Sequence, residues 1–172
     1  MKINTKKITL MGLFVSLLVI ANILTIQIIP PYFVLSFVLT LSFLIGYYFG
    51  SIEGTIICFL GDFIGCIIHP FGPFNVLVSL SCCMMGFIFG FNKNKTNILK
   101  IILTFFIVTL ICTCGLNTLG LWLFYGIGKK TFFAYLWVRL PWQLINSIIN
   151  CIISISIYKI LKRSKYDNNL YT

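Results

Sequence analysis

From Ile8 to Ile29 the chain runs for 22 residues without a charged side chain. At about 1.5 Å per residue, a helix of that length crosses the roughly 30 Å of hydrocarbon in a bilayer. Lys2, Lys6 and Lys7 precede the run, which is also how a secretory signal begins. A signal core is shorter, about 7–15 residues, and ends at a small-residue cleavage site that is not found here. The stretch is read as a first spanning helix. Apolar runs recur along the chain, which is 59% hydrophobic and only 9% charged, against about 25% charged in soluble domains. Backbone polar groups in hydrocarbon must be satisfied within helices or closed barrels. The expectation is therefore an all-α integral membrane protein forming one membrane domain over residues 1–172.

The apolar runs and their breaks place helices at about 8–29, 35–50, 54–69, 74–91, 98–125 and 138–161, a six-transmembrane-helix bundle. The second and third meet at a tight turn, Gly50-Ser51-Ile52-Glu53. With the amino terminus inside, ten of the thirteen Lys/Arg fall on the cytoplasmic side, so both termini are expected to be cytoplasmic. Only Lys129, Lys130 and Arg139 lie outside, and the net charge of +10 reflects topology, not nucleic-acid binding. The exterior connections are then Pro30–Val34, His69–Asn75 and Gly126–Trp137. No internal repeat stands out, which counts against an inverted-repeat transporter. The seven cysteines fall inside the spans without a CxxC pair, and there is a single His. Neither a metal centre nor a disulfide framework is expected, and the cysteines read as small packing residues.

Polar and small residues form stripes at helical spacing. Gly54, Cys58, Gly61, Asp62, Gly65 and His69 share one face of the third helix. The fourth repeats the pattern with Asn75, Ser79, Cys82, Cys83, Gly86 and Gly90. The fifth offers Thr109, Thr113, Asn117 and Gly120, and the sixth Arg139, Gln143, Asn146, Asn150 and Ser154. Small residues let helix backbones approach closely, and Ser, Thr and Asn bond across such interfaces, so helix packing accounts for most of these positions. Asp62 and Arg139 differ, because an ionisable group at membrane depth is expensive and marks a ligand, a cavity or a partner charge. The two would either face a ligand or neutralise each other or bond Asn117. Catalysis is not expected: Glu53 and Asp62 are too far apart for a metal-dependent carboxylate cluster, and His69 has no nucleophile beside it in sequence. No cofactor is expected either.

Taken together, "GDFIGCIIHPFGPF", "LNTLGLWLFYG" and "RLPWQLI", in that order within six short helices, resemble the substrate-binding S components of energy-coupling factor (ECF) vitamin transporters. The likeness is nearest to the folate-specific members. The resemblance implies capture of a vitamin, folate or a related pterin, at the exterior face of a bacterial cytoplasmic membrane. It also implies a transmembrane coupling protein and two cytoplasmic ATPases as partners, for ATP-driven uptake. The coupling protein is gripped through small residues on the first helix, here Gly12 and Ser16. Asp62, His69, Phe74, Asn117, Trp122, Tyr125, Arg139 and Gln143 are the expected ligand-binding residues. Phe71, Phe74, Trp122, Tyr125 and Trp137 would stack on a flat heterocycle, Asn117 and Gln143 would bond its edge, and Arg139 with Lys129 and Lys130 would meet its carboxylates. The rivals are an S component for a different vitamin, a self-sufficient proton-coupled transporter using Asp62, and a membrane assembly factor.

Overall fold

The computed structural model describes residues 5–29, 33–69, 74–93, 97–125 and 131–163. Helices α1 (Thr5–Ile23), α2 (Val38–Phe49), α3 (Ser51–Ile68) and α4 (Val76–Gly90) are followed by a long composite rod. That rod comprises α5 (Ile98–Val108), a π-helical segment (Thr109–Asn117) and α6 (Thr118–Tyr125), and α7 (Phe132–Arg163) comes last. Four stretches are long and apolar enough to cross a membrane: Thr5–Ile23, Ser51–Ile68, Ile98–Phe124 and Phe132–Leu161.

Several boundaries differ from expectation: Ser51, Ile52 and Glu53, expected in a tight turn with Gly50, form the first turn of α3, and the larger changes lie at the first, second and last helices. The first helix stops at Ile23 instead of reaching residue 29, and Ile26–Ile29 (β1) pairs antiparallel with Phe33–Leu35 (β2). Ile26 lies opposite Leu35 and Gln27 opposite Val34. The β-branched isoleucines suit a strand, and Pro30-Pro31 follow without the N–H groups a helix would need. As a result, the second helix begins at Val38, not residue 35. The last helix starts at Phe132, not 138, so Arg139 sits two turns inside it and Pro141 lies within its length.

Side-chain contacts fix the helix directions. Lys7 binds Glu53 at one end of α1 and α3, and Asn22 Nδ2 reaches Gly61 O at 3.4 Å near the other, so these helices run parallel. α4 returns antiparallel to α3. A Cβ on Gly86 would stand 2.5 Å from Gly54 O, and one on Gly90 would stand 2.2 Å from Ser51 Cα. Only glycine permits that approach. Gly50 alone separates α2 from α3, with a φ of 91° that favours glycine.

The two ends of the bundle differ in character. At the Lys-rich end, where α2 and α7 finish, Phe43, Phe89 and Phe105 pack with centroid separations of 4.8–5.8 Å. Leu39, Met85, Ile101, Val108 and Tyr158 surround them. At the hairpin end, where α3 and α6 finish, the buried positions include a polar set: Asp62, Ser79, Thr113, Thr118, Arg139, Gln143 and Asn146.

Candidate ligand-binding site

Asp62 is only 4% exposed, six residues before the end of α3. Ser79 Oγ donates to its Oδ2 at 2.6 Å, and Cys82 Sγ lies 3.4 Å from its Oδ1. Both donors stand on α4, three residues apart, so each carboxylate oxygen is engaged from the neighbouring helix. The glycines of the α3–α4 joint bring the helices close enough for these short side chains to reach.

Arg139 is 1% exposed on α7. Its NH1 donates to Thr118 Oγ1 at 3.4 Å, its guanidinium carbon lies 5.8 Å from the Tyr135 ring centroid, and its Nε has no hydrogen-bond partner. Asp62 and Arg139 do not pair with each other. Among the described residues the ion pair is Lys7–Glu53, at the opposite end. Among the described residues this buried guanidinium is held by a long bond to a hydroxyl and a ring face, and it retains most of its donor capacity.

The π-helical segment determines which residue meets Arg139. Its i→i+5 bonding carries Thr118 Oγ1 to Thr113 O at 2.9 Å. The stripe expected through Asn117 is thereby displaced by one position: Thr118 is 1% exposed, and Asn117 is half-buried without bonding Asp62 or Arg139. Thr113 Oγ1 donates to Thr109 O at 2.6 Å, and Ser81 Oγ to Cys112 O at 2.9 Å.

The first turn of α4 links the two clusters. Asn75 caps α4, its side chain accepting from Leu77 N at 3.0 Å. A Cβ on Gly120 would lie 3.0 Å from both terminal atoms of the Asn75 carboxamide. Asn75 and Ser79 are one turn apart, joined by a Ser79 N to Asn75 O bond of 3.2 Å. The path Asp62–Ser79–Asn75–Gly120–Thr118–Arg139 therefore crosses from α3 to α7, joining all three sequence stretches quoted above.

The remaining expected site residues are distributed around this path. Gln143 is buried one turn below Arg139. Trp122 is half-buried on α6, 5.8 Å between centroids from Phe132 of α7. Phe74 is exposed just before α4, 5.8 Å from the Phe63 ring. His69 is exposed at the end of α3, Trp137 is exposed on α7, and Tyr125 is the last residue of α6. Phe71, Lys129 and Lys130 lie outside the described residues. Gly12 and Ser16 are exposed on one face of α1, nothing standing within 4 Å of where a Gly12 Cβ would be. Thr118 and Tyr135 were not among the expected residues. A search for unshifted α-helical spacing misses Thr118, and Tyr135 falls in a stretch read as a loop.

Residues 6–158 match the family model described as ECF transporter, substrate-specific component. The fold is similar to the crystal structure of FolT bound with folic acid, with a TM-score of 0.80 and 25% identity over 90% of this chain and 93% of that one. It is also similar to the S component of a bacterial ECF transporter, with a TM-score of 0.70 and 17% identity over 92% and 96% of the respective chains. No curated protein sequence matches. The chain belongs to the family of substrate-specific components of ECF transporters.

Proposed function

We propose that this chain captures folate or a related pterin at the exterior face of a bacterial cytoplasmic membrane and delivers it for ATP-driven uptake. The observation that carries the reading is the likeness to folate-bound FolT, which extends over 90% of the chain and reaches 25% identity. In this proposal the chain forms six spanning segments, the α5–π–α6 rod counting as one, with both termini cytoplasmic. The hairpin end then faces outward, and the Lys7–Glu53 pair faces the cytoplasm. A transmembrane coupling protein and two ATPases supply the energy, and the coupling protein docks on the Gly12–Ser16 face of α1.

The chemistry of the site supports an anionic heterocycle. Arg139 has no carboxylate partner among the described residues and keeps an Nε without a hydrogen bond, which suits the glutamate carboxylates of a folate. Asp62 would accept from the pterin amine and the adjacent ring N–H. Trp122, Phe74 and Tyr125 would supply stacking surfaces, with Asn117, Gln143 and His69 at the edges.

The test is binding by the purified protein, combined with mass spectrometry of small molecules that co-purify with it. A folate or pterin bound at submicromolar affinity is the expected result. Another vitamin found in the preparation would remove the substrate assignment. Accumulation by the lone protein under an ion gradient would instead establish the self-sufficient transporter.

A further inference from the structure

The start of α2 has no side-chain cap of its own, for Phe37 occupies the N-cap position. Helix α7 supplies one from across the bundle. Asn150 Oδ1 accepts from Thr40 N at 3.2 Å and from Thr40 Oγ1 at 2.7 Å, covering one of the orphan N–H groups of a helix start. Its Nδ2 donates to Ser36 O at 2.9 Å and to Asn146 O at 2.8 Å. Asn146 Oδ1 accepts from Ser36 N at 3.4 Å. The two asparagines thus hold both backbone groups of Ser36, the residue that follows β2.

Ser36 is also the root of the hairpin. Its Oγ accepts from Val38 N at 3.2 Å and from Thr25 Oγ1 at 3.5 Å, and Thr25 immediately precedes β1. The first strand therefore starts, and the second ends, beside residues anchored on α7 (Ser36 directly, Thr25 through Ser36), and β2 packs directly on that helix. Helix association alone would not explain bonds aimed at the backbone of a single connecting residue. Asn150 is 1% exposed, and both its acceptor and its donor sides are engaged. Asn146 and Asn150 lie seven and eleven residues after Arg139, on the same buried face.

From this we infer that Asn146 and Asn150 are positioning residues that lock the paired strands β1 and β2 to the ligand-facing half of α7, so that strand pair and helix move as one body and hold the ligand longer. The effect on ligand retention rests on the proposed folate reading; the mechanical lock does not. Hydrogen exchange of the hairpin amides and the folate dissociation rate should be measured on the full chain in nanodiscs. The variants are Asn146→Ala and Asn150→Ala, with Ser147→Ala as control, because among the described residues the Ser147 hydroxyl bonds Thr109 and not Thr25, Ser36 or a strand residue.

The expected result is exchange at residues 26–29 and 33–35 at least about tenfold faster in the two asparagine variants and unchanged in the control. Folate dissociation should accelerate by a similar factor with little change in association. Asn146 makes fewer of the bonds, so its alanine variant provides the readout should Asn150→Ala fail to fold. Unchanged hairpin exchange in Asn146→Ala overturns the lock, as does equal acceleration in Ser147→Ala. Faster exchange with wild-type dissociation overturns the link to ligand retention. If the wild-type protein retains no folate, the substrate reading falls, and the lock is decided by the exchange data alone.

Discussion

Ser79 Oγ stands 2.6 Å from Asp62 Oδ2 and donates to it from the facing helix, while Cys82 approaches the second oxygen. A carboxylate accepts through about four lone-pair positions, so two donors leave capacity for a ligand. Asp62→Asn should weaken folate binding by about 2–4 kcal/mol, or roughly 30- to 1,000-fold, through loss of a buried charged acceptor. Ser79→Ala, which keeps the charge, should cost only about 1 kcal/mol. Titration calorimetry on both variants decides it. Normal binding by Asp62→Asn together with an earlier melt would make Asp62 a fastener of α3 to α4 and nothing more.

Among the described residues Arg139 carries a buried charge with a single 3.4 Å bond, to Thr118. Arg139→Gln should weaken folate at least about tenfold, equal to about 1.4 kcal/mol, while leaving a pterin without the glutamate tail nearly unaffected. Comparing the two ligands separates recognition of the tail from general damage to the site. Equal losses for both would assign Arg139 to the α6–α7 contact.

Gly12 and Ser16 face outward, with open space at Gly12. Replacing both by Trp should abolish vitamin uptake by the reconstituted transporter while ligand affinity stays within about twofold, since close helix approach depends on small side chains. Parallel loss of affinity and uptake would move this face from partner docking to the fold.

Gly86 provides the opposite case, because a Cβ there meets Gly54 O at 2.5 Å and Gly54 C at 2.8 Å, both backbone atoms. Gly86→Ala should destabilise the protein by about 1–3 kcal/mol through overpacking. Gly12→Ala should be neutral or slightly stabilising, as Ala suits a helix better than Gly by about 0.5–1 kcal/mol. Thermal melts in one detergent, run side by side, measure the difference. Equal melting temperatures would show that α3 and α4 can separate at little cost.

The α3 and α4 stripes were legible in the sequence, since Gly54, Asp62, Ser79 and Gly86 obey the 3.6-residue repeat and face each other as that repeat requires. Two departures from the repeat were not legible. A run as short as Ile26–Ile29, apolar apart from Gln27, fits a helix or a strand, and periodicity alone does not separate them. The π-helical segment likewise leaves composition unchanged while displacing the buried face from Asn117 to Thr118. Pro141, two residues after Arg139, falls in the first turn of the helix expected from residue 138. In α7 it sits on an exposed position well inside the helix, as spanning helices tolerate. The partners of Asp62 were visible as members of a stripe, but their roles as donors depend on side-chain directions that spacing does not give.

The shortness of two helices sets a relation between this protein and the lipid around it. Helices α2 and α4 have 12 and 15 residues, or about 18 and 22 Å at 1.5 Å per residue. The rod through Ile98–Phe124 has 27 residues, or about 40 Å. Where α2 and α4 span, the surrounding acyl chains must compress below their usual thickness of roughly 30 Å, while beside the long rod they stretch or the rod tilts. In the proposed six-span arrangement the bilayer around the protein is therefore uneven in thickness from one side to the other, and acyl-chain length becomes a physical variable in how easily the protein tilts.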